Sequence, residues 1–250
     1  MGILEQWAAI KNGSFKSNLD QYCSDEWKQL AAENREKLLV ASMKVEGIEA
    51  CLRVENAMTT KKAIGMGCFN DDMLKITQKS LDDITGGWLC GDSRIGKSTF
   101  FKCKIFEYAE DHQKKYGNID YDLCKMFRWE MLWGEYLKRY QDNKDEKPTN
   151  IRAGIESMKK CKILVIDEMP ASLTDAAQRL LFEILEKRCH DPYRDGSDKM
   201  TFFTSNYDIK NMRFNNLGLE GRIRQVTKGR VMRSYAPVIP KGPNGVFFGA

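Results

Sequence analysis

Gly91, Asp92, Ser93, Arg94, Ile95, Gly96, Lys97 and Ser98 spell GDSRIGKS, which fits the spacing GxxxxGK[ST]. Glycines at those positions let backbone N–H groups close around phosphate oxygens, the lysine ammonium reaches the β and γ phosphates, and the hydroxyl ligates Mg²⁺. Lys97 and Ser98 fill the last two roles, and Thr99 starts the helix that should follow, so Gly91 to Thr99 is the expected ATP-binding segment. Farther along, Ile163 to Glu168 reads ILVIDE. Four apolar, mostly β-branched residues predict a buried strand, and Asp167 at its end is placed to complete the Mg²⁺ shell with Ser98. Glu168 stands one residue on, where a carboxylate can polarise a water for in-line attack on the γ phosphate. The two motifs together predict hydrolysis of ATP with Mg²⁺ and not binding alone.

A third string, Met200 to Asn206, reads MTFFTSN. It predicts a strand over Met200 to Thr204 that ends in two polar residues. If this strand lies between the P-loop strand and the Asp167 strand, Asn206 reaches the γ phosphate and can orient the attacking water. On its own, Ser-Asn is also an ordinary strand exit, because both residues favour turns.

These side chains need elements to hold them. Trp88, Leu89 and Cys90 form a short apolar run before the loop, and Thr99 to Tyr108 reads as a helix after it, the order a P-loop requires. Leu123 to Trp129 predicts a second strand, Glu130 to Tyr140 a helix, and Gln141 to Asn150 a loop. Thr174 or Asp175 should cap a helix whose Ala177, Leu180, Leu181, Ile184 and Leu185 share one face and which Arg188 closes. Asp191 to Lys199 is a polar loop. Strands alternating with helices predict an α/β fold, a parallel sheet with right-handed crossovers flanked by helices.

Ahead of this core, Ser24 should cap a helix with Trp27, Leu30, Ala31, Leu38, Ala41 and Val45 at helical spacing, so 1–60 reads as a small helical module. Thr59 to Asn70, with Gly65 and Gly67, is the expected linker, and 71–84 a lead-in helix, giving 61–84 as the join to an ATPase core over 85–236. The remaining 237–250 reads as an extended tail whose Phe247 and Phe248 dock either on a partner or on the chain's own core. Residues 1–60 hold seven basic and nine acidic side chains, whereas 209–250 hold eight basic residues and Glu220 alone. An acidic helical end suits a protein partner, and a basic end suits nucleic acid or a neighbour's nucleotide.

The chain's 250 residues, 42% of them hydrophobic, suffice for one sizeable core plus an appendage. No apolar run approaches the roughly 20 residues that span a bilayer, and the N-terminus lacks a signal layout, so no membrane partner and a cytoplasmic location are expected. The eight cysteines contain no CxxC pair and read as reduced core residues.

With P-loop, ILVIDE, a helix ending EKR, a strand closing TSN and a downstream LGLEGRIR in this order, residues 85–226 resemble the AAA+ helicase loaders and transposition ATPases of the DnaC/IstB type. The resemblance implies an additional-strand AAA+ sheet without a helical lid domain, for which the 28 residues after Arg222 are too few. It implies an oligomer in which Arg222, in the GR-I context, acts on the neighbouring subunit's nucleotide, a contact worth about 10³ to 10⁵ in turnover. A DNA phosphate is the other reading of Arg222. Where the family often has a second arginine four residues on, this chain has Val226.

The resemblance further implies a replicative DNA helicase as partner, with assembly on single-stranded DNA during replication initiation. A regulator of transposition that marks duplex DNA for a transposase is the alternative, and a nucleotide-gated adaptor without turnover is a third class. No zinc finger or RNA-binding signature is present, so DNA would be gripped through its backbone. Lys114, Lys115, Arg128, Lys138, Arg139 and the basic C-terminal segment are either DNA contacts or ordinary surface charges, and Trp129 and Trp133 either stack bases or fill the core.

Overall fold

The computed structural model describes residues 25–45, 48, 51–141, 151–190, 199–215 and 217–234. The chain divides into two units, 1–38 and 39–250. Of the first, the described part is the beginning of helix α1 (Asp25–Ser42), which continues into the second. Ser24, the expected cap, lies outside the described residues, as do most of the expected loops Gln141 to Asn150 and Asp191 to Lys199 and the tail from 235 onward.

The second unit is built on five parallel strands, β1 (Gly87–Gly91), β2 (Cys124–Arg128), β3 (Ile163–Met169), β4 (Met200–Ser205) and β5 (Val231–Ser234), in the order β2-β3-β4-β1-β5. A parallel sheet needs cover on both faces, and β1 and β4 are buried at every position as that demands. Side chains alternate between the faces with period two. Leu164, Ile166, Trp88 and Phe203 enter one core layer, with helices α6 (Trp129–Gln141), α7 (Ile151–Lys160), α8 (Asp175–His190) and α9 (Leu217–Val226). Ile163, Val165, Leu89 and Phe202 enter the other, under Leu39 and Val40 at the end of α1, α2 (Thr60–Gly65), α3 (Asp71–Thr77), α4 (Leu81–Ile84) and α5 (Lys97–Tyr116). Phe100 and Phe101 of α5 are fully buried there, each contributing about 2 kcal/mol of apolar burial.

The expected strands and the face of α8 are where the sequence puts them, and Thr174 Oγ1 accepts the Ala177 N–H at 3.3 Å as its cap. Five segments differ, one of them β5, where no strand was expected. Thr59 to Asn70, read as a linker, instead carries α2, whose Thr60 hydroxyl and N–H both donate to Glu107 of α5. The lead-in helix is two helices, because Ser80 and Asp83 form a reciprocal capping box that restarts the chain at Leu81. At the end of α1 Leu39, Val40 and Ser42 are buried, as is Met43 just after it, while Ala41 of the expected stripe is exposed. Helix α7 was not expected at all, although Ile151, Ile155 and Met158 bury one face at helical spacing.

Candidate nucleotide-binding site

The register of the sheet brings Gly91, Arg128, Asp167 and Ser205 to one edge, since Cys90 pairs with Ser205 and Arg128 with Asp167. This is the carboxyl edge, where open parallel sheets hold their ligands. Gly91 ends β1 at φ 150°, and a Cβ there would stand 1.6 Å from the Ser234 carbonyl oxygen, so only glycine fits beside β5. Gly96 adopts φ 97° as the residue before α5, and a Cβ would meet the Cys68 oxygen at 2.4 Å. The loop between them is thereby folded tightly enough to start α5 at Lys97. The first N–H groups of that helix have no partners within it, and its dipole favours an anion in front of them.

A cavity of about 490 Å³ lies at this edge, lined by Lys97, Ser98, Thr99, Glu168, Asn206 and Tyr207 among others. Lys97 is only 7% exposed. Its ammonium donates to the carbonyls of Gly91 (2.9 Å) and Asp92 (2.6 Å) and to Asn206 Oδ1 (3.0 Å). Burial lowers its pKa from the ordinary lysine value, opposed by the charges of Asp167 and Asp92. All three partners are neutral oxygens that a phosphate can replace. β4 does lie between β1 and β3, as the reading of Asn206 required.

Asp167 is fully buried. Its Oδ1 accepts from the hydroxyls of Ser98 (2.8 Å) and Thr204 (2.5 Å), and Cys51 Sγ lies 3.8 Å from Oδ2. Burial first, then Asp167, pushes the Cys51 thiol up to about 12, so it stays protonated and donates toward the carboxylate. Ser98 gives its proton to Asp167 and keeps its lone pairs for a ligand. Among the described residues no cluster of three or more His, Cys, Asp or Glu could cage a metal by itself. The Ser98 hydroxyl beside the Asp167 carboxylate is a donor set that suits Mg²⁺, which binds through one or two protein oxygens together with substrate phosphates and water.

Glu168 lies where β3 departs from regular pairing. Ile166 faces Phe203 and Met169 faces Ser205, so Asp167 and Glu168 together oppose Thr204 in a β-bulge. Glu168 takes the left-handed conformation at φ 60°, which costs a side-chain-bearing residue about 1–2 kcal/mol. Its N–H donates to Thr204 Oγ1 at 2.9 Å, and its exposed carboxylate lies 3.5 Å from Arg128 Nε. Reading the sequence did not single out Thr204, Cys51 or Tyr207. Alternation along MTFFTSN puts Thr204 on the Asp167 side once β4 neighbours β3, but nothing in the string announces the bulge.

Arg222 is not gathered with these residues. It lies on α9, half-buried, donating to Gln225 Oε1 at 3.1 Å and standing 3.9 Å from Glu186. Arg224 pairs with Glu220 at 2.7 Å. Lys114 and Lys138 pair with acids on their own helices, Lys115 stands 5.1 Å from the centre of the Tyr116 ring, and the Arg139 side chain lies outside the described residues. Trp129 is buried, and Trp133 is half-buried and stacked on Tyr136 against the same core layer. Among the described residues no helix is long and apolar enough to cross a membrane.

No protein-family profile matches the chain. No curated protein matches its sequence either. Its structure is similar to that of a candidate primosome component from Streptococcus pyogenes serotype M3, at TM-score 0.51 and 16% identity over 79% of this chain and 96% of the other. It also matches DnaI at TM-score 0.48 and 15% identity, over 73% and 94% of the two chains. Domain III of the Thermotoga maritima replication initiation protein DnaA follows at 0.43 and 17%, over 72% and 65%. At these identities the first likeness speaks for the fold alone. With the strand order and the P-loop between β1 and α5, the chain has the α/β, additional-strand P-loop fold of AAA+ proteins.

Proposed function

We propose that this chain is an ATPase of the helicase-loader type, which hydrolyses ATP to ADP and phosphate, binds a replicative DNA helicase through residues 1–60 and assembles on single-stranded DNA. The observation that carries the catalytic part is the gathering of Lys97, Ser98, Asp167, Glu168 and Asn206 around one cavity edge. The loader part rests on the sequence resemblance over 85–226 and on the fold shared with a candidate primosome component.

Bound ATP and Mg²⁺ would supply the phosphoryl group and the charge that screens it. In this reading the N–H groups at the start of α5 bind the phosphates, and Lys97 exchanges Gly91 O, Asp92 O and Asn206 for phosphate oxygens. Ser98 and Asp167 would hold the metal, Ser98 through its free lone pairs while its hydroxyl still donates a hydrogen bond to Asp167. Glu168 leaves Arg128 and takes the proton of the attacking water, which Asn206 orients. Arg222 does not line its own subunit's cavity, which fits a role on a neighbour's nucleotide in an oligomer.

The test is the ATPase rate at rising protein concentration without DNA, with single-stranded DNA and with duplex DNA, comparing wild type with Arg222→Ala. A rate that climbs with concentration and single-stranded DNA, and collapses in the variant, is expected. Stimulation by duplex DNA alone would replace the helicase by a transposase as partner. Tight nucleotide binding with no turnover under any of these conditions would reduce the chain to a nucleotide-gated adaptor.

A further inference from the structure

We infer that Thr204 is the positioning residue of the proposed hydrolytic site, with one buried hydroxyl setting both the metal-side carboxylate and the base. The inference rests on the ATPase reading above and concerns a residue for which neither the P-loop nor the ILVIDE motif provides. Thr204 is fully buried on β4. Its hydroxyl has one proton and gives it to Asp167 Oδ1 at 2.5 Å. Its oxygen accepts the Glu168 N–H at 2.9 Å.

The backbone explains why a side chain is needed there. Between the pairs Ile166 with Phe203 and Met169 with Ser205, two residues of β3 oppose Thr204 alone. A bulge leaves a backbone group without its ladder partner, and a buried N–H without a partner is costly. The Thr204 hydroxyl supplies the partner. It therefore secures Glu168 at φ 60°, a conformation that a residue with a Cβ does not hold without support. That conformation decides where the Glu168 carboxylate can reach. Through its proton the same hydroxyl also orients Asp167, whose Oδ1 it shares with Ser98. The two acidic residues are adjacent in sequence yet have opposite tasks, one buried and one exposed, and both are referred to a single oxygen atom.

Valine has the shape of threonine and lacks the hydroxyl, whereas serine keeps it. Thr204→Val is expected to lower kcat by about 10- to 100-fold, the usual loss when a group that orients a metal ligand is removed. The KM for ATP should change by less than about threefold, since phosphate binding stays with Lys97 and the loop. Thr204→Ser should recover most of the rate. A readout independent of turnover is the Mg²⁺ concentration that half-saturates binding of a fluorescent ADP, which should rise about tenfold in Thr204→Val and stay near wild type in Thr204→Ser.

Normal turnover and normal Mg²⁺ dependence in Thr204→Val would overturn the inference while leaving the ATPase reading intact. So would Thr204→Ser failing as badly as Thr204→Val, because the hydroxyl would then not be the cause. If Thr204→Val shows no cooperative thermal transition, Thr204→Ala is compared with Thr204→Ser, a pair that differs by one oxygen, and equal rates overturn it. A wild type that hydrolyses no ATP with any DNA would instead remove the reading beneath it, and the inference with it.

Discussion

Two buried cations stand at opposite edges of the same sheet, and their surroundings show how one fold uses burial for two purposes. Arg188 of α8 is 6% exposed and Lys97 of α5 is 7% exposed. Burial lowers the pKa of both below the ordinary range of their side-chain types. Neither rests on a directly bonded carboxylate: Arg188 donates to the carbonyls of Met158, Cys161, Lys162 and Met200 and to the Thr201 hydroxyl, as Lys97 does to Gly91, Asp92 and Asn206. The difference lies in shape. A guanidinium presents five donors in a rigid fork, and at the amino edge that fork joins the end of α7 to the starts of β3 and β4. An ammonium is a point charge on a flexible stem, and at the carboxyl edge its partners are exchangeable for phosphate oxygens. One cation locks the sheet, while the other, in the function proposed, is held ready for phosphate.

Exchanging the two head groups breaks this comparison most sharply. Lys97→Arg keeps the charge but not the shape, and should cost about a hundredfold or more in turnover, on the scale of losing a preorganised charge donor, while the thermal midpoint moves little. Arg188→Met should cost about 3 kcal/mol or more in stability, because several buried carbonyls lose their donor at once, and Arg188→Lys about half of that. Urea unfolding measures both, and the ATPase rate per folded molecule should be unchanged in each.

A pH series sharpens the account at Lys97. Its pKa is lowered in the folded chain, so the unfolded chain binds more protons between the two pKa values, and this residue's contribution makes stability rise as pH increases through that window. Nucleotide affinity should move the opposite way, falling as the ammonium loses its proton, from below the ordinary lysine range. Thermal midpoints and fluorescent-ADP titrations over the same alkaline series test this, and Lys97→Met should lose this residue's share of both trends. The smallest effect belongs to Arg128→Ala. The pair with Glu168 is exposed, so stability should change by less than about 1 kcal/mol. Freed of that partner, Glu168 should raise the DNA-independent ATPase rate severalfold, which a steady-state assay reads directly.

The carboxyl edge was far more legible in the sequence than the amino edge, and chemistry explains the asymmetry. Lys97, Ser98, Asp167 and Asn206 sit in motifs whose residue types phosphate and metal would dictate in the proposed site, and the apolar runs around them fix the strands that bring them together. Arg188 was read as a charged helix end, because arginine is mostly a surface residue and only tertiary packing aims this one inward. The Glu168 bulge is a relation between two strands, and no string within either encodes it. Helix α7 went unread although Ile151, Ile155 and Met158 are correctly spaced; Gly154 in its middle lowers its helix propensity. Thr59 to Asn70 looked like a linker from its glycines, yet Ala63 and Phe69 bury it against α5 and the P-loop.

The central claim, a hydrolytic site in which Glu168 activates water, is tested most directly by single-turnover hydrolysis of bound ATP in Glu168→Gln beside wild type. ATP should bind the variant as tightly as wild type, while the chemical step slows by about 10² to 10⁴, the usual contribution of a general base. A variant that hydrolyses its bound ATP at the wild-type rate would contradict it.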